Sequence, residues 1–523
     1  VYKRQTLLKA KVGILAVSCL SITALFACVD KDARSDLSPN LPTDQAQNGD
    51  FGDQGGGSDQ GLNFPVFDDG VLAFPGAEGY GKNATGARTG EGREIYHVTN
   101  LNDAGPGSFR DAVSKPWRII VFDVSGVIKL SKDPVVLKSN QTILGHTAPG
   151  DGIVLYNGRV SASGAQNLIV RYLRIRMGAA YPSDQVDACG VANGADMIFD
   201  HCSMTWGRDE CFSINPDGKG TAPKNITIQN SIIGQGLQNH SCGGLMQTDI
   251  SNGCTIFRNL YIDNKTRNPK VKGLNQFVNN VVYNWGSGAA YNMGGDSSGK
   301  SETTIENNYF IVGPCNNWQN VEIAPKVYEA QQVPMNPARP FTGGNSDFRS
   351  YCKGNYYDYD KDGALNGIEI TEVNWSQYCS GSPTLLEARS DLHPIIRSQK
   401  SAQEAYEWVV EKVGAYLPVR DEVDKYLIDE LTSLGGKGTI IQDERKTEQF
   451  PLGGPGTINA AQKPLDSDND GMPDAFEDAW GLDKYDPTDA VKEAKNGYLN
   501  IENYALSLEY PDEYEYELNK NKQ

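Results

Sequence analysis

The sequence is poor in several features that mark common functional classes. Basic residues are fewer than acidic ones: the sequence has 48 Lys and Arg and 66 Asp and Glu, which gives a formal net charge of −18 at pH 7. Such an excess of negative charge argues against nucleic acid or an anionic membrane surface as a partner. An anionic substrate would need cations gathered at its own site. The ten cysteines include no Cys-x-x-Cys pair, so the usual zinc spacing is lacking.

Long apolar runs are also scarce, and the one near the start predicts export. The apolar run Val12–Ala27 follows a basic segment and ends just before Cys28. Its sixteen residues are too few for a membrane span, which needs about 20, but they suit a secretory signal. Residues 1–28 resemble a bacterial lipoprotein signal, which implies lipidation of Cys28. We therefore expect an outer-membrane or cell-surface lipoprotein, with an ordinary cleaved signal and secretion as the alternative.

Residues 29–70 are expected to form a flexible tether. They are rich in Asp and Gly and hold few large apolar side chains, as in Asn48–Gly57. Such a composition cannot bury enough apolar surface to offset the entropy lost when a chain becomes ordered. We therefore place the start of the first folded domain at residue 71.

A repeat of short β-branched and aromatic runs is what the sequence has in abundance. The last residues of six successive runs are spaced by 29, 29, 29, 21 and 27 residues; they are Tyr172, His201, Asn230, Asn259, Asn280 and Asn307. A near-constant period built from strands is typical of a solenoid in which each repeat is one coil. Coils stack about 4.8 Å apart, so the corner Asn amides can form a ladder. The pattern predicts an all-β parallel β-helix, because a sandwich or propeller needs more closely spaced strands.

Several motifs in this region are shared with one known family, and they cover both the first coils and two later positions: Phe74–Gly81, Val98–Ala112, Phe122–Gly126, Thr147–Gly152, Phe199–His201 and Arg267–Lys272. They resemble the secreted pectate lyases of polysaccharide lyase family one, over residues 71–435. The resemblance implies a right-handed parallel β-helix. It also implies cleavage of α-1,4-polygalacturonate, the pectin backbone, by calcium-assisted β-elimination to unsaturated oligogalacturonides.

Three carboxylates are candidate calcium ligands for such a reaction. Elimination needs the uronate carboxylate neutralised, a base for the C5 proton and a proton for the leaving oxygen, and a calcium ion (Ca²⁺) can do the first. The resemblance assigns calcium binding to Asp187 and Asp209, one repeat apart. A third family carboxylate falls on Ser213 in this sequence. Either Glu210 substitutes for it, or calcium binds weakly and arrives only with substrate, and Asp184 is a further candidate. Solvated acidic turns are the alternative.

Three basic residues are candidates for the catalytic work itself. The family motif Arg-x-Pro-x-x-Arg corresponds to Arg267 through Lys272, and its first Arg is the proton abstractor, which implies that role for Arg267. Lys272 keeps the charge of the second Arg but lacks its planar fork. Pro269 should bend the chain so that both side chains converge. His240 aligns with a substrate-binding lysine of the family.

The C-terminal part predicts a second calcium site. After a Gly/Pro-rich linker (436–464), a module over 465–523 begins with a full match to the twelve-residue calcium loop, whose ligand positions are Asp466, Asp468, Asp470, Asp474 and Glu477. The loop resembles the thrombospondin type 3 and dockerin-like loops of secreted enzymes. Asp358–Glu369 has the same spacing without flanking helices, and a calcium site and a plain acidic turn are equally open there.

The sequence therefore favours an exported, monomeric pectate lyase whose partners are pectin and calcium and whose membrane contact is limited to a lipid anchor. Two other functions stay open. A polygalacturonan hydrolase on the same fold would need two carboxylic acids placed as acid and base. A non-catalytic β-helix carbohydrate-binding protein or adhesin would need no cations opposite the carboxylates.

Overall fold

The computed structural model describes residues 70–286, 289–294, 300–315, 318–324, 327–332 and 339–521. The expected signal, the lipidation site at Cys28 and the tether up to residue 69 lie outside these ranges. Within them, no helix combines the length and the apolar character that crossing a membrane requires.

Three long sheets of stacked strands form the body of the protein. The first sheet has eleven strands, each paired with the strand one coil away: Glu94–Val98, Arg118–Phe122, Gln141–Leu144, Ala165–Arg171, Gly194–Asp200, Lys224–Gln229, Gly253–Phe257, Leu274–Val278, Ser301–Glu306, Phe348–Lys353 and Thr384–Leu385. The pairing is parallel, as where Ile198 lies between Ile169 and Thr227.

The second sheet has ten strands: Gly126–Lys129, Ile153–Tyr156, Arg174–Arg176, Ser203–Thr205, Ile232–Gly234, Leu260–Ile262, Val281–Tyr283, Tyr309–Ile311, Asn355–Asp358 and Ile368–Ile370. The third has eight: Val135–Val136, Val160–Ser161, Cys189–Val191, Phe212–Ile214, Leu245–Gln247, Lys270–Lys272, Ala289–Met293 and Arg339–Gly343. One more pair, Trp318–Ala324 with Val327–Gln332, is antiparallel. The all-β parallel β-helix that the repeat predicted is confirmed.

Apolar residues from all three sheets fill the interior of the coils. Ile198, for example, faces outward, whereas its neighbours Met197 and Phe199 point into the core, as the alternation of side chains along a strand requires. Cys202 and Cys254 lie in the same core, and the eight cysteines of the described ranges are all free. They act there as small apolar side chains, the role that the sequence allowed.

Asparagine side chains form the expected ladder between coils. The backbone N–H of Asn259 donates to Asn280 Oδ1 (2.9 Å), that of Asn280 donates to Asn308 Oδ1 (2.8 Å), and Asn308 Nδ2 donates to Asn355 Oδ1 (2.8 Å). Asn307, the predicted member, is instead the residue just before the ladder and has a left-handed φ of 52°. The left-handed corner residue and the ladder residue are thus neighbours in sequence, which is why one marker per coil could not separate them.

Two helices, Ala402–Lys412 and Glu422–Thr432, cover the outer face of the second sheet. The first begins at Ser401 with a capping box, in which side chains satisfy backbone N–H groups that the helix leaves unpaired. Arg176 from the second sheet forms buried ion pairs with Asp421 (2.7 Å) and Asp424 (2.9 Å).

The C-terminal segment packs against the outer face of the first sheet. It contains the helices Asp474–Trp480, Asn500–Glu509 and Pro511–Asn521, and short helices elsewhere span Phe109–Ala112 and Trp375–Tyr378. Its apolar residues share one buried cluster with outward-facing residues of the first sheet. The cluster includes Met472, Phe476 and Ile501 of the C-terminal segment and Ile119 and Val121 of the sheet. Buried ion pairs join Arg88 to Glu502 (2.8 Å) and Arg171 to Glu509 (2.7 Å). The boundaries predicted at 436 and 465 stay predictions.

Candidate active site

The candidate residues come together at one edge of the third sheet. Asp187, Asp209, His240 and Arg267 each lie two to five residues before a strand of that sheet, and those four strands are neighbours. Parallel bridges from Glu210 to Cys242 and from Cys242 to Thr266 hold the segments side by side. Residues far apart in sequence therefore share one surface because the coil period brings them into register.

The carboxylates of this edge are crowded, and the central one is buried. The backbone N–H of Glu210 donates to Asp187 Oδ1 (3.3 Å), and ligand atoms of Asp209, Glu210 and Cys242 lie within 4.8 Å of one another. Glu210 is only 2% exposed. Burial, and then the neighbouring Asp187 carboxylate, raise the pKa of Glu210, and burial likewise raises the pKa of Asp187. Concentrated negative charge of this kind calls for a cation.

Arg267 is the cation that the chain itself supplies. Its Nη1 forms an ion pair with Glu210 Oε1 and lies 3.9 Å from Asp209 Oδ1. Burial disfavours the charged guanidinium, but the acidic groups around it, Cys242 and Glu210, outweigh that effect and raise the pKa of Arg267. The structure therefore holds Arg267 in its protonated form.

His240 joins this group, and Lys272 does not. His240 is half-exposed, and its Nδ1 lies 3.2 Å from Asp209 Oδ1. Lys272 ends the strand Lys270–Lys272, whose central Val271 points into the core while the flanking lysines are half-buried on the outside. In the ranges that the structure describes, no ion pair links Lys272 to the three carboxylates, so its role stays a prediction.

Lys265 is a neighbour of the site that the sequence did not single out. Its side chain is buried, and Nζ donates to the backbone carbonyl of Asn239 and to Gln238 Oε1 (3.4 Å). Burial lowers the pKa of Lys265 to about 8. Lys265 therefore holds the backbone of the segment that carries His240. Its place two residues before Arg267 was the only signal in the sequence.

The donor set fits a calcium ion better than a softer metal. Asp187, Asp209 and Glu210 offer carboxylate oxygens, the ligands that calcium prefers. Ser213, where the family pattern has a carboxylate, is buried, and its Oγ accepts a hydrogen bond from the Leu245 N–H (3.2 Å). The substitution by Glu210 stays a prediction, and one oxygen of Glu210 forms an ion pair with Arg267.

A second carboxylate group lies in the C-terminal segment. Ligand atoms of Asp466, Asp468 and Asp470 lie within 4.8 Å of one another, and so do those of Asp470, Glu477 and Asp489. Burial and then the neighbouring carboxylates raise the pKa of Asp470 to about 7 and that of Glu477 to about 8. Asp489 was not predicted, because it lies outside the twelve-residue loop.

Asp474, the predicted ligand at loop position nine, has a different task. Its carboxylate accepts hydrogen bonds from the Ser467 N–H (2.7 Å) and the Ser467 hydroxyl (2.8 Å). The group that the structure assembles thus contains Asp489 rather than Asp474. Both belong to the same segment, and the twelve-residue pattern cannot show which of them faces the other carboxylates.

The Asp358–Glu369 segment forms a turn between the antiparallel strands Asn355–Asp358 and Ile368–Ile370. Asp362 Oδ1 accepts from the Ala364 N–H (2.8 Å), and its Oδ2 accepts from Asn366 Nδ2 (2.9 Å). Hydrogen bonds within the turn satisfy this acidic side chain, and the choice between a calcium site and a plain acidic turn stays a prediction.

Comparison with known proteins agrees with the geometry. The family model described as pectate lyase matches residues 73–327. A protein of Aspergillus fumigatus named probable pectate lyase C is 49% identical over 438 residues, which cover 84% of this chain and 94% of that one. Proteins of the same name from Aspergillus terreus and Emericella nidulans are 49% and 48% identical, with 94% and 93% of their lengths covered. The chain belongs to the pectate lyase family.

Proposed function

We propose that the protein is a pectate lyase that cleaves the α-1,4-polygalacturonate backbone of pectin by calcium-assisted β-elimination. The observation that supports this most directly is the meeting of Asp187, Asp209 and Glu210 with Arg267 at one edge of the third sheet. A metal-binding carboxylate set and a basic side chain, side by side, are what elimination from a uronate needs.

The three carboxylates are the proposed calcium ligands of this site. When bound there, calcium would supply the positive charge that neutralises the uronate carboxylate and makes the C5 proton more acidic. Asp187 and Asp209 come from adjacent coils, and the Glu210 backbone joins them. A substrate carboxylate could then bind against the exposed side of this edge, where His240 lies.

Arg267 is the proposed base, and the structure adds a condition to that role. A guanidinium has a pKa above about 12, so it is a poor base when paired with a carboxylate. In the structure, Glu210 holds Arg267 protonated. Arg267 can therefore accept the C5 proton only after this ion pair is broken and the partly exposed guanidinium has given its own proton to water. The pair between Arg267 and Glu210 would keep the enzyme inactive until substrate and calcium are both in place.

His240 and Lys272 are proposed to bind substrate carboxylates. His240 is half-exposed and already bonded to Asp209, so it can reach a sugar at the open side of the site. Lys272 lies on the next strand of the same sheet face. Its single ammonium would hold a uronate with less geometric selectivity than an arginine fork.

We also propose that the Asp466–Glu477 loop binds calcium in the manner of a thrombospondin type 3 or dockerin-like loop. Asp466, the first position, accepts the backbone N–H groups of Asp470 (3.2 Å) and Gly471 (3.1 Å). Those bonds shape the loop around its own carboxylates. Gly471 has a φ of 92°, a conformation that suits glycine.

We propose export, with Cys28 as a lipid anchor. The support is the basic and apolar pattern of residues 1–28, and the anchor is the finer part of the proposal. Cys28→Ser should release a lipidated protein from membranes or block its processing. Equal membrane association of both forms would contradict the anchor and leave secretion as the simpler account.

One assay tests the proposed reaction against both alternatives. The protein is incubated with polygalacturonate, and ultraviolet absorbance of unsaturated uronates is followed together with reducing ends. A lyase gives both signals, a hydrolase gives reducing ends alone, and a non-catalytic binding protein gives neither. Repeating the assay with a calcium chelator tests the metal requirement.

A further inference from the structure

We propose that Asp489 completes the calcium site of the C-terminal segment, and that the occupied site fastens this segment to the outer face of the β-helix. The inference rests on the calcium loop proposed above. It adds a ligand from outside that loop and a structural role for the ion.

Unpartnered oxygen atoms carry the first part of the inference. Both oxygens of Asp468 and of Glu477, Oδ2 of Asp470 and Oδ1 of Asp489 are buried and without a hydrogen-bond partner. Glu477 is 0% exposed, Asp470 3% and Asp489 4%. Buried carboxylate oxygens are expensive to leave unpaired. The set is all oxygen, and it falls in the range of about 6–8 ligands that calcium takes.

Positive charge from the chain balances only part of this group of carboxylates. Within the described ranges, Lys463 contacts the edge of the group at Asp466 (3.5 Å). Lys492 forms an ion pair with Asp486 (2.9 Å), and its positive charge also acts on Asp489. In the part of the chain that the structure describes, no Lys or Arg forms an ion pair with Asp468, Asp470 or Glu477. A bound divalent cation is the simplest group that would stabilise carboxylates gathered around Asp470 in this way.

The four residues belong to three separate segments of the chain, so a bound ion would link these segments to one another. Asp468 and Asp470 lie in the loop, Glu477 on the helix Asp474–Trp480, and Asp489 at the start of the helical turn Asp489–Val491. Asn500 Nδ2 donates to the Asp489 carbonyl (2.9 Å) and links this turn to the helix Asn500–Glu509.

The helix Asn500–Glu509 makes polar contacts with the β-helix, and apolar side chains near the proposed ligands pack against the same sheet. His146 Nε2 lies 3.1 Å from the Ala505 carbonyl, and Arg171 forms an ion pair with Glu509 (2.7 Å). Met472 and Phe476, next to the ligands, pack in the same buried cluster as Ile119 and Val121 of the first sheet. Loss of the ion should therefore loosen the cover over these strands.

The test compares two aspartates of the full-length protein. Asp489→Asn removes the proposed ligand, whereas Asp474→Asn changes the ligand that the loop pattern names and keeps an oxygen for Ser467. Calcium binding to the C-terminal segment should weaken at least about tenfold in Asp489→Asn. Mutation of residues that only hydrogen-bond to metal ligands already lowers metal affinity by about that factor. It should change less than about twofold in Asp474→Asn. Binding is read from the rise in unfolding temperature as calcium replaces chelator.

Hydrogen exchange gives a local readout that active-site calcium does not disturb. Calcium should protect residues 466–509 and the strand Arg118–Phe122 in the wild type and in Asp474→Asn, but not in Asp489→Asn. In chelator, Asp489→Asn should unfold at or above the wild-type temperature, because it removes one buried negative charge, and this shows that the variant folds. Full calcium protection in Asp489→Asn, or its loss in Asp474→Asn, would overturn the inference. If calcium protected no form, the loop proposal itself would fail, whereas uronate release could still support the lyase.

Discussion

The two acidic groups of this protein differ in what balances their charge. The active-site cluster (Asp187, Asp209, Glu210 and Arg267) has a guanidinium of its own, which forms an ion pair with Glu210. The tail cluster (Asp468, Asp470, Glu477 and Asp489) leaves several buried oxygens unpaired. A site with its own counter-charge can fold without metal and exchange partners during turnover. A site without one depends on a resident ion for its stability.

Exposure follows the same division. The His240 and Arg267 side chains at the active-site cluster are 45% and 32% exposed, so a polymer can reach them. Glu477 in the tail cluster is fully buried under the apolar contacts of the C-terminal segment. This difference agrees with the proposed roles, which are chemistry at the open, paired site and a structural ion at the closed one.

The largest expected effect tests the guanidinium that distinguishes the active-site cluster. Arg267→Lys keeps a positive charge beside Glu210 but removes the planar group and moves the nitrogen. If Arg267 takes the C5 proton, kcat should fall about 100-fold or more while substrate binding survives. Initial rates of uronate release over a range of polygalacturonate concentrations separate kcat from KM.

Lys272→Ala is the matched comparison for that variant. Lys272 lies on the same sheet face without an ion pair to the carboxylates in the described structure, so its loss should raise KM and change kcat little. Near-normal kcat in Arg267→Lys would end the assignment of Arg267 as the base, and the search would move to His240.

The next effect, smaller in size, concerns how the two clusters hold calcium. In the active-site cluster, calcium must displace Arg267 from Glu210, whereas the tail cluster offers oxygens that are already free. We expect the calcium concentration that gives half-maximal activity to exceed the one that gives half-maximal thermal stabilisation by about tenfold or more. Activity and unfolding temperature are measured across one calcium titration. Coincident midpoints would show that the built-in arginine does not matter for affinity.

Asp470→Ala combined with Glu477→Ala provides the control for this titration. The double variant should lose the calcium-dependent stabilisation that residues of the tail cluster confer, and uronate release should keep its own calcium midpoint. A loss of turnover as large as the loss of stability would mean that the tail cluster belongs to the active site.

The sequence predicted the fold well because the coil period repeats many times. Each β-branched run gives the same signal, and an error at one coil, such as Asn307 for Asn308, does not change the architecture. The carboxylates and Arg267 could be named because the family resemblance marks those positions. Periodicity alone would have left them among many acidic turns.

The residues that were missed depend on contacts between distant segments. Asp489 faces Asp470 and Glu477 only because the helix Asp474–Trp480 turns the chain back. Lys265 bonds to Asn239 on the neighbouring coil, and nothing in a local pattern shows which coil residues will meet. Side-chain direction after a turn is set by packing, so spacing rules for a loop cannot supply it.

The smallest expected effect is a pH dependence of stability in chelator. The pKa of Asp470 rises to about 7 and that of Glu477 to about 8 in the folded chain, against about 3.9 and 4.3 when unfolded. Between these values the folded chain binds more protons, so its unfolding temperature should fall as pH rises from about 5 to 8. Calcium should remove this slope. Glu210 adds a pH dependence of the same sign. Calorimetry of the wild type and of the double variant Asp470→Asn with Glu477→Gln therefore gives the contribution of the tail cluster as the difference between their slopes. Equal slopes would contradict the prediction.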